Sequence, residues 1–348
     1  MAITTFFICI ALCAVLVMLL RRSSLADWSL DQPNHRSLHV RPTPRIGGVA
    51  MLLAVATPLA VLRPENLPVT LLALAASLAL ISLLDDRAHL PVALRLAAHV
   101  AAATFVAFGW LNATSDMAMG NADGLHAWLA SPYAALGIIA AICWMTNLFN
   151  FMDGADGMAG GMALVGFGGY AVAATMSGMQ GLGIAVVSAA VSGAALAFLY
   201  FNFPVARVFM GDAGSVPIGF LAAAIGLEGN LMGLWPWWFG AMAFSPFIVD
   251  ATITLLKRIL RREKIWMAHR EHYYQRLIIS GWSHRKTVIS YYFLMLGSTG
   301  SALAAHSSQL LYPIVGFWVI TYVLLLLYLE WRFYQHKKEK TEETLGAK

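Results

Sequence analysis

The sequence predicts an all-α protein, a polytopic membrane bundle of about eleven transmembrane helices with its N-terminus outside and its C-terminus in the cytoplasm. Three observations carry this. Of 348 residues, 59% are hydrophobic and only 12% are charged, far from the even balance of a soluble domain. Apolar runs near the ~20 residues that cross a hydrocarbon core of about 30 Å recur from end to end. The cations, finally, fall on alternate connections with one exception.

The runs are read at 3–20, 46–62, 67–84, 92–111, 133–149, 158–177, 181–201, 215–232, 234–256, 287–305 and 310–331. The first could pass for a secretory leader. Its start, MAITTFF, lacks a positive n-region, and no small-residue cleavage site follows, so it is expected to remain as a helix. Placing the connections after odd-numbered spans in the cytoplasm collects 22 of the 23 Lys and Arg there, and only Arg63 falls outside. That is the positive-inside bias. The net charge of +5 then reads as a topology signal suited to anionic membrane lipids, not to nucleic acid. Residues 1–331 form the membrane domain. Residues 332–348 form a polar cytoplasmic tail, expected to be irregular. Within the large loop 257–286 an amphipathic helix is expected at the headgroups. Cys9, Cys13 and Cys143 lie in apolar runs and offer neither a disulfide framework nor metal spacing.

Three acidic clusters sit at span ends. LLDDRAHLP gives Asp85 and Asp86 after the third span. NLFNFMDGADGMAGG gives Asp153 and Asp156 after the fifth, and VFMGDAGS gives Asp212 before the eighth. By the alternation all five meet one face. Five neighbouring carboxylates repel unless a cation sits among them, and Mg²⁺ is held by one or two carboxylates plus phosphate oxygens and water. The glycines beside them allow tight turns and close backbone approach to a ligand. Arg36, His39, Arg41, Arg45, Arg87, Arg207, His269, Arg270, His272 and Arg276 crowd the same face, and Arg forks match phosphate oxygens. Carboxylates for a divalent metal with Arg and His for phosphate describe a phosphoryl-transfer site. Its place at the membrane surface points to a lipid phosphate as one substrate.

Taken singly, each cluster has a plainer reading. Asp85–Asp86 fits a solvated helix end, Asp153 and Asp156 an ordinary turn, and Asp212 an N-cap for the next helix. His269 and His272, three apart on a helix, fit interfacial packing. Their meeting on one face favours a site. Asp250, inside the ninth span, stands open between a functional group and the partner of an Arg.

Together NLFNFMDGADG, VFMGDAGS, the DDR after the third span and AHREHYYQRL resemble the polyprenyl-phosphate N-acetylhexosamine-1-phosphate transferases, glycosyltransferase family 4. The motifs occur in order over nearly the whole chain. AHREHYYQRLIISGWSH is most similar to the branch that initiates O-antigen synthesis from UDP-GlcNAc, UDP-FucNAc or UDP-QuiNAc. The resemblance implies Asp212 as a metal ligand for Mg²⁺, with Mn²⁺ as an alternative, and Asp153 near the metal and donor phosphates. It implies Asp85 and Asp86 at the lipid phosphate and in catalysis. Asp156 and Asn202 would hold the uridine, Phe209 would stack on uracil, and Asn147 and Asn150 lead into the DG turn. His269, Arg270 and His272 would lie near the diphosphate and sugar, and Arg41 and Arg45 from HVRPTPRIGG would contact phosphate. The first motif departs from the family pattern, with Ala88-His89 where a third acid or a Lys is common. HREH also differs from the His-rich form of the peptidoglycan enzyme.

The implied activity transfers sugar-1-phosphate from a UDP-N-acetylhexosamine to undecaprenyl phosphate and releases UMP. The expected place is the inner membrane, with the site on its cytoplasmic face and a homodimer left open. The alternatives are a phospho-MurNAc-pentapeptide transferase and a transporter. A transporter would carry its ionisable groups near the midplane, whereas here they gather at one face. A CDP-alcohol phosphotransferase would need further aspartates after the DG, and GMAGGMALVGFGG has none. HREH is not the HExxH of a zinc protease.

Overall fold

In hydrocarbon every backbone N–H and C=O must be paired within the chain, so apolar runs become helices. The computed structural model describes residues 1–32, 41–88, 90–118, 131–264, 269–306 and 310–346; Arg36 and His39 lie outside them. The helices are α1 (Ala2–Leu20), α2 (Ser24–Trp28), α3 (Gly47–Leu62), α4 (Val69–Ala88), α5 (Val92–Ala118), α6 (Pro132–Met152) and α7 (Met158–Met176). There follow α8 (Leu182–Asn202), α9 (Asp212–Leu231), α10 (Trp238–Ala243), α11 (Ser245–Leu260), α12 (Tyr273–Ile279), α13 (His284–Ala305) and α14 (Leu311–Gly346). Two short strands, β1 (Leu30–Asp31) and β2 (Thr43–Pro44), pair antiparallel between α2 and α3.

Among the described residues nine helices are long and apolar enough to cross a membrane: α1, α4 to α9, α13 and α14. The expected second span is α3, only 16 residues long. The expected ninth is broken at Phe244 into α10 and α11, where Pro246 sits in the first turn of α11; proline lacks the N–H that would continue the ladder. The expected irregular tail is helical as far as Gly346. Its Lys, Glu and Gln are good helix formers, and Lys338 and Glu342 pair at 3.8 Å one turn apart.

Local signals set several boundaries. Ser131 caps α6 by accepting from the Ala134 amide at 3.3 Å, with Pro132 next. Ser283 caps α13 through the Lys286 amide at 3.2 Å. The core is densest around α8, which packs on α1, α3 and α7. Its many Ala and Ser residues let those neighbours approach closely, the usual device of helices in lipid. α9 packs on α3, α4 and α6, and that contact brings the three acidic clusters to one end of the bundle.

Candidate active site

The site begins with a close helix contact. A Cβ on Gly48, at the start of α3, would lie 2.4 Å from Cα of Gly214 in the first turn of α9. Backbone hydrogen bonds extend the join: Gly47 and Gly48 donate to the Phe209 and Met210 carbonyls at 2.9 Å, and Phe209 donates to Pro44 at 2.9 Å. The segment leading into α3 is thereby sewn to the FMGD segment.

Gly211, at φ 71°, occupies the N-cap of α9, and Asp212 is the first helical residue, not the cap. Its charge lies where the helix dipole favours an anion. Asp212 Oδ1 accepts from Asn150 Nδ2 at 2.9 Å, and the same amide donates to Ser215 Oγ at 2.9 Å. Asn150, in the last turn of α6, thus binds that end to α9.

Carboxylates and guanidiniums then alternate. Arg45 meets Asp31 at 2.7 Å and Asp86 at 3.7 Å. Burial pulls the Arg45 value down, but Asp31, Asp212 and Asp86 outweigh it and hold the guanidinium charged. Asp85 accepts from the Leu90 amide at 2.7 Å and from Arg95 at 2.8 Å. Arg95 also stands 3.8 Å from Asp212. Asp153 is half-buried and takes the Gly211 amide. Burial, and then the charge of Asp212, push its carboxyl well above the usual range. Among the described residues, Asp31, Asp85, Asp86, Asp153 and Asp212 share this end of the bundle with the guanidiniums of Arg45 and Arg95.

Among the described residues no three His, Cys, Asp or Glu side chains converge tightly enough to cage a metal alone. Mg²⁺ does not need such a cage, since it keeps waters and takes one or two carboxylates plus substrate phosphate. Asp212 and Asp153 would hold such an ion, and its charge would offset the repulsion from Asp212 that raises Asp153.

Beside the acids lies a cavity of about 740 Å³. Asp85, Arg95, His99, Asn147, Asn150, Asp212, His269 and His272 supply its polar lining, while Leu78, Ile81, Leu96, Ala140 and Trp144 supply apolar wall. His99 Nδ1 lies 3.2 Å from Asn147 Nδ2. Arg41, Arg45, Asp86, Asp153, Asp156, Asn202, Phe209 and Arg270 do not line this cavity.

Asp156 and Asn202 are buried and already engaged. Asp156 accepts from the Ala206 amide at 2.9 Å. Asn202 accepts from the Gly157 amide at 2.7 Å and donates to the Val208 carbonyl at 2.9 Å. They tie the turn after α6 to the 203–211 segment that carries half-buried Phe209.

The histidine loop corrects one expectation. His269 and His272 are not on a helix: His272 is the N-cap of α12. Asp250 explains why. Its carboxylate, on α11, accepts from the Tyr273 amide at 2.9 Å, the Tyr274 amide at 3.1 Å and the Tyr291 hydroxyl. It therefore satisfies the first N–H groups of α12 from another helix and fixes where α12 starts. His272 Nδ1 stands 3.4 Å from the same carboxylate, and no Arg pairs with it among the described residues. The His269 and His272 rings are 4.9 Å apart. Burial first, then His272 and the Arg258 guanidinium, lower the His269 value to about 4.

Asp31, Arg95 and His99 were not singled out from the sequence. Arg95 and His99 did leave a signal, being two polar side chains one turn apart in an apolar run. Asp31 left none, because its role comes from the β1–β2 pairing that sets it opposite Thr43.

Known proteins resemble this chain over much of its length. Residues 68–230 match the family model described as Glycosyl transferase family 4. The chain is 25% identical to the probable undecaprenyl-phosphate N-acetylglucosaminyl 1-phosphate transferase of Bacillus subtilis (strain 168), over 93% of this chain and 88% of that one. It is 30% identical to the decaprenyl-phosphate N-acetylglucosaminephosphotransferase of Mycobacterium tuberculosis (strain ATCC 25618 / H37Rv), over 75% of this chain and 71% of that one. The phospho-N-acetylmuramoyl-pentapeptide-transferase of Geobacillus kaustophilus is 35% identical, but over only 44% of this chain and 47% of its own. With its acidic span ends gathered at the start of α9 and these relatives beside it, the chain belongs to the polyprenyl-phosphate N-acetylhexosamine-1-phosphate transferase superfamily.

Proposed function

We propose that this protein transfers an N-acetylhexosamine-1-phosphate from a UDP-sugar to undecaprenyl phosphate, releasing UMP at the cytoplasmic face of the inner membrane. The observation that carries the reading is the cavity of about 740 Å³, where Asp85, Arg95, Asp212 and the two histidines share one space with an apolar wall. A lipid phosphate needs both. N-acetylglucosamine is the favoured sugar, since the two relatives aligned over most of their length are named for it. The product would begin a cell-surface polysaccharide such as O-antigen.

In this reading a lipid phosphate oxygen attacks the donor's β-phosphorus. The bond from that phosphorus to the UMP oxygen breaks, and UMP leaves with the electron pair. Asp212 and Asp153 would hold Mg²⁺ or Mn²⁺, which supplies neutralising charge to the diphosphate when bound. Arg95 and Arg45 set cations toward phosphate, and Arg41 lies close by in sequence. Asp86 takes the residual proton of the lipid phosphate, because Asp85 is occupied by Arg95 and the Leu90 amide. Asp156 and Asn202 shape the nucleoside loop, and Phe209 offers uracil a ring face. His269, Arg270 and His272 serve the diphosphate and sugar. Positioning and charge dominate, as in other phosphoryl transfers.

The test is UMP release by purified protein with undecaprenyl phosphate and a panel of UDP-GlcNAc, UDP-FucNAc, UDP-QuiNAc and UDP-MurNAc-pentapeptide. Turnover of UDP-GlcNAc is expected, and Asp212→Asn should abolish Mg²⁺-dependent release. Full activity in that variant would sink the metal assignment. Turnover of the pentapeptide donor alone would replace this reading with the one named by the partial relative.

A further inference from the structure

Consecutive elements usually lie side by side. α3 and α4 are joined only by residues 63–68, yet they splay apart. α3 rests on α1, α8 and α9, and α4 rests on α9 and α5. Between them runs a groove of about 870 Å³. Its lining reaches from Val49, Leu83 and Ala213 at the end near the acids to Arg63, Asn66 and Leu67 at the opposite membrane face. The floor is closed: Val191, Ile218 and Leu221 are 3%, 1% and 2% exposed. The rims are open, with Leu53 and Leu80 at 47% and 62%. Every lining side chain is apolar except Arg63 and Asn66, and both sit at the mouth.

Arg63 is the cation that breaks the charge asymmetry of the chain. It is exposed and held at φ 41°, and Asn66 is held at φ 55°. Arg63 is the left-handed C-cap that ends α3, and this sharp stop places its side chain at the mouth of the groove. Arg63 Nε donates to the Ala60 carbonyl at 3.2 Å. No carboxylate lies within ion-pair distance of its guanidinium among the described residues. A forked cation above an apolar trough is complementary to an amphiphile with an anionic phosphate and a hydrocarbon chain.

We propose that this is a binding site for a glycerophospholipid of the leaflet opposite the acidic cluster, with its phosphate on Arg63 and an acyl chain in the α3–α4 groove. The site is separate from the transfer site and does not depend on the proposed reaction. A chain lying there fills the space that α3 and α4 leave uncovered and touches the same α9 that carries Asp212.

Native mass spectrometry of the full-length protein in detergent, titrated with dioleoyl-phosphatidylglycerol, tests the site. Wild type should retain one tightly held phospholipid. Arg63→Gln should weaken retention by about tenfold, the scale of one charge-assisted contact, and Arg63→Lys should restore part of it. Ala76→Trp, which fills the groove, should remove the lipid while leaving the elution profile and thermal unfolding in detergent as in wild type. Retention unchanged in both Arg63→Gln and Ala76→Trp overturns the proposal. So does the result that Ala76→Trp raises the KM for undecaprenyl phosphate while phosphatidylglycerol still binds, since the groove would then belong to a prenyl tail.

Discussion

Asp85 and Asp86 are neighbours in sequence with different surroundings. Asp85 is held by Arg95 and a backbone amide, while Asp86 faces Arg45 at 3.7 Å. Asp86→Asn is therefore expected to lower kcat by about 10²–10⁴, the range of a lost proton acceptor, with little change in acceptor KM. Asp85→Asn should instead release Arg95 and raise the acceptor KM. Steady-state UMP release at varied undecaprenyl phosphate separates the two, and equal kcat losses would erase the distinction. The acids of the site were legible because charge beside a hydrocarbon core is costly and stands out. Their division of labour was not, since it depends on which cation each one meets after folding. Asp31 shows the limit most clearly: in sequence it is an ordinary loop aspartate, and only strand pairing brings it to Arg45.

Asp250 shows how one buried carboxylate can place a whole element. It caps α12 from α11 and so positions His272, which lines the cavity. Asp250→Ala should cost about 3 kcal/mol or more, the scale of stripping a buried charged partner from several donors. Thermal unfolding reads the loss, and a change below about 0.5 kcal/mol, the usual range for surface substitutions, would remove Asp250 from this role. His269 adds a pH dependence. It lies among His272, Arg258, Arg261 and Glu271, and its value in the folded protein is lowered to about 4, against about 6.5 for a free histidine. As pH falls the unfolded chain binds the proton first, so this stabilisation is complete above about 6.5 and is lost progressively toward 4. Thermal unfolding of wild type should thus fall more between pH 7.5 and pH 5 than that of His269→Asn. Most element types were legible from apolar run length. The break in the ninth span was not read, although Pro246 marked it, because a run long enough to cross as one helix hides a short helix followed by a second.

Across the whole molecule, alternation and one-sided cations anticipated that the acidic span ends would meet, and α9 packed against α3, α4 and α6 is the physical reason they do. What the pattern could not show was where helices fail to pack. The groove between α3 and α4 has no sequence signature, since lipid-facing and groove-facing apolar residues look alike. Nor could it show that the tail stays helical, because Lys- and Glu-rich segments read equally as solvated coil.

The shortness of α3 has a mechanical consequence. Its 16 residues span about 24 Å, less than the ~30 Å of an average hydrocarbon core. A thick bilayer must therefore thin around it or draw it toward one side. Because Gly48 and Gly214 bring α3 and α9 into backbone contact, that strain is delivered to the turn bearing Asp212. Turnover in vesicles of phosphatidylcholine should accordingly peak at short to medium acyl length and decline as the chains lengthen. Rates that do not vary with chain length would show that the Gly48–Gly214 joint is mechanically silent.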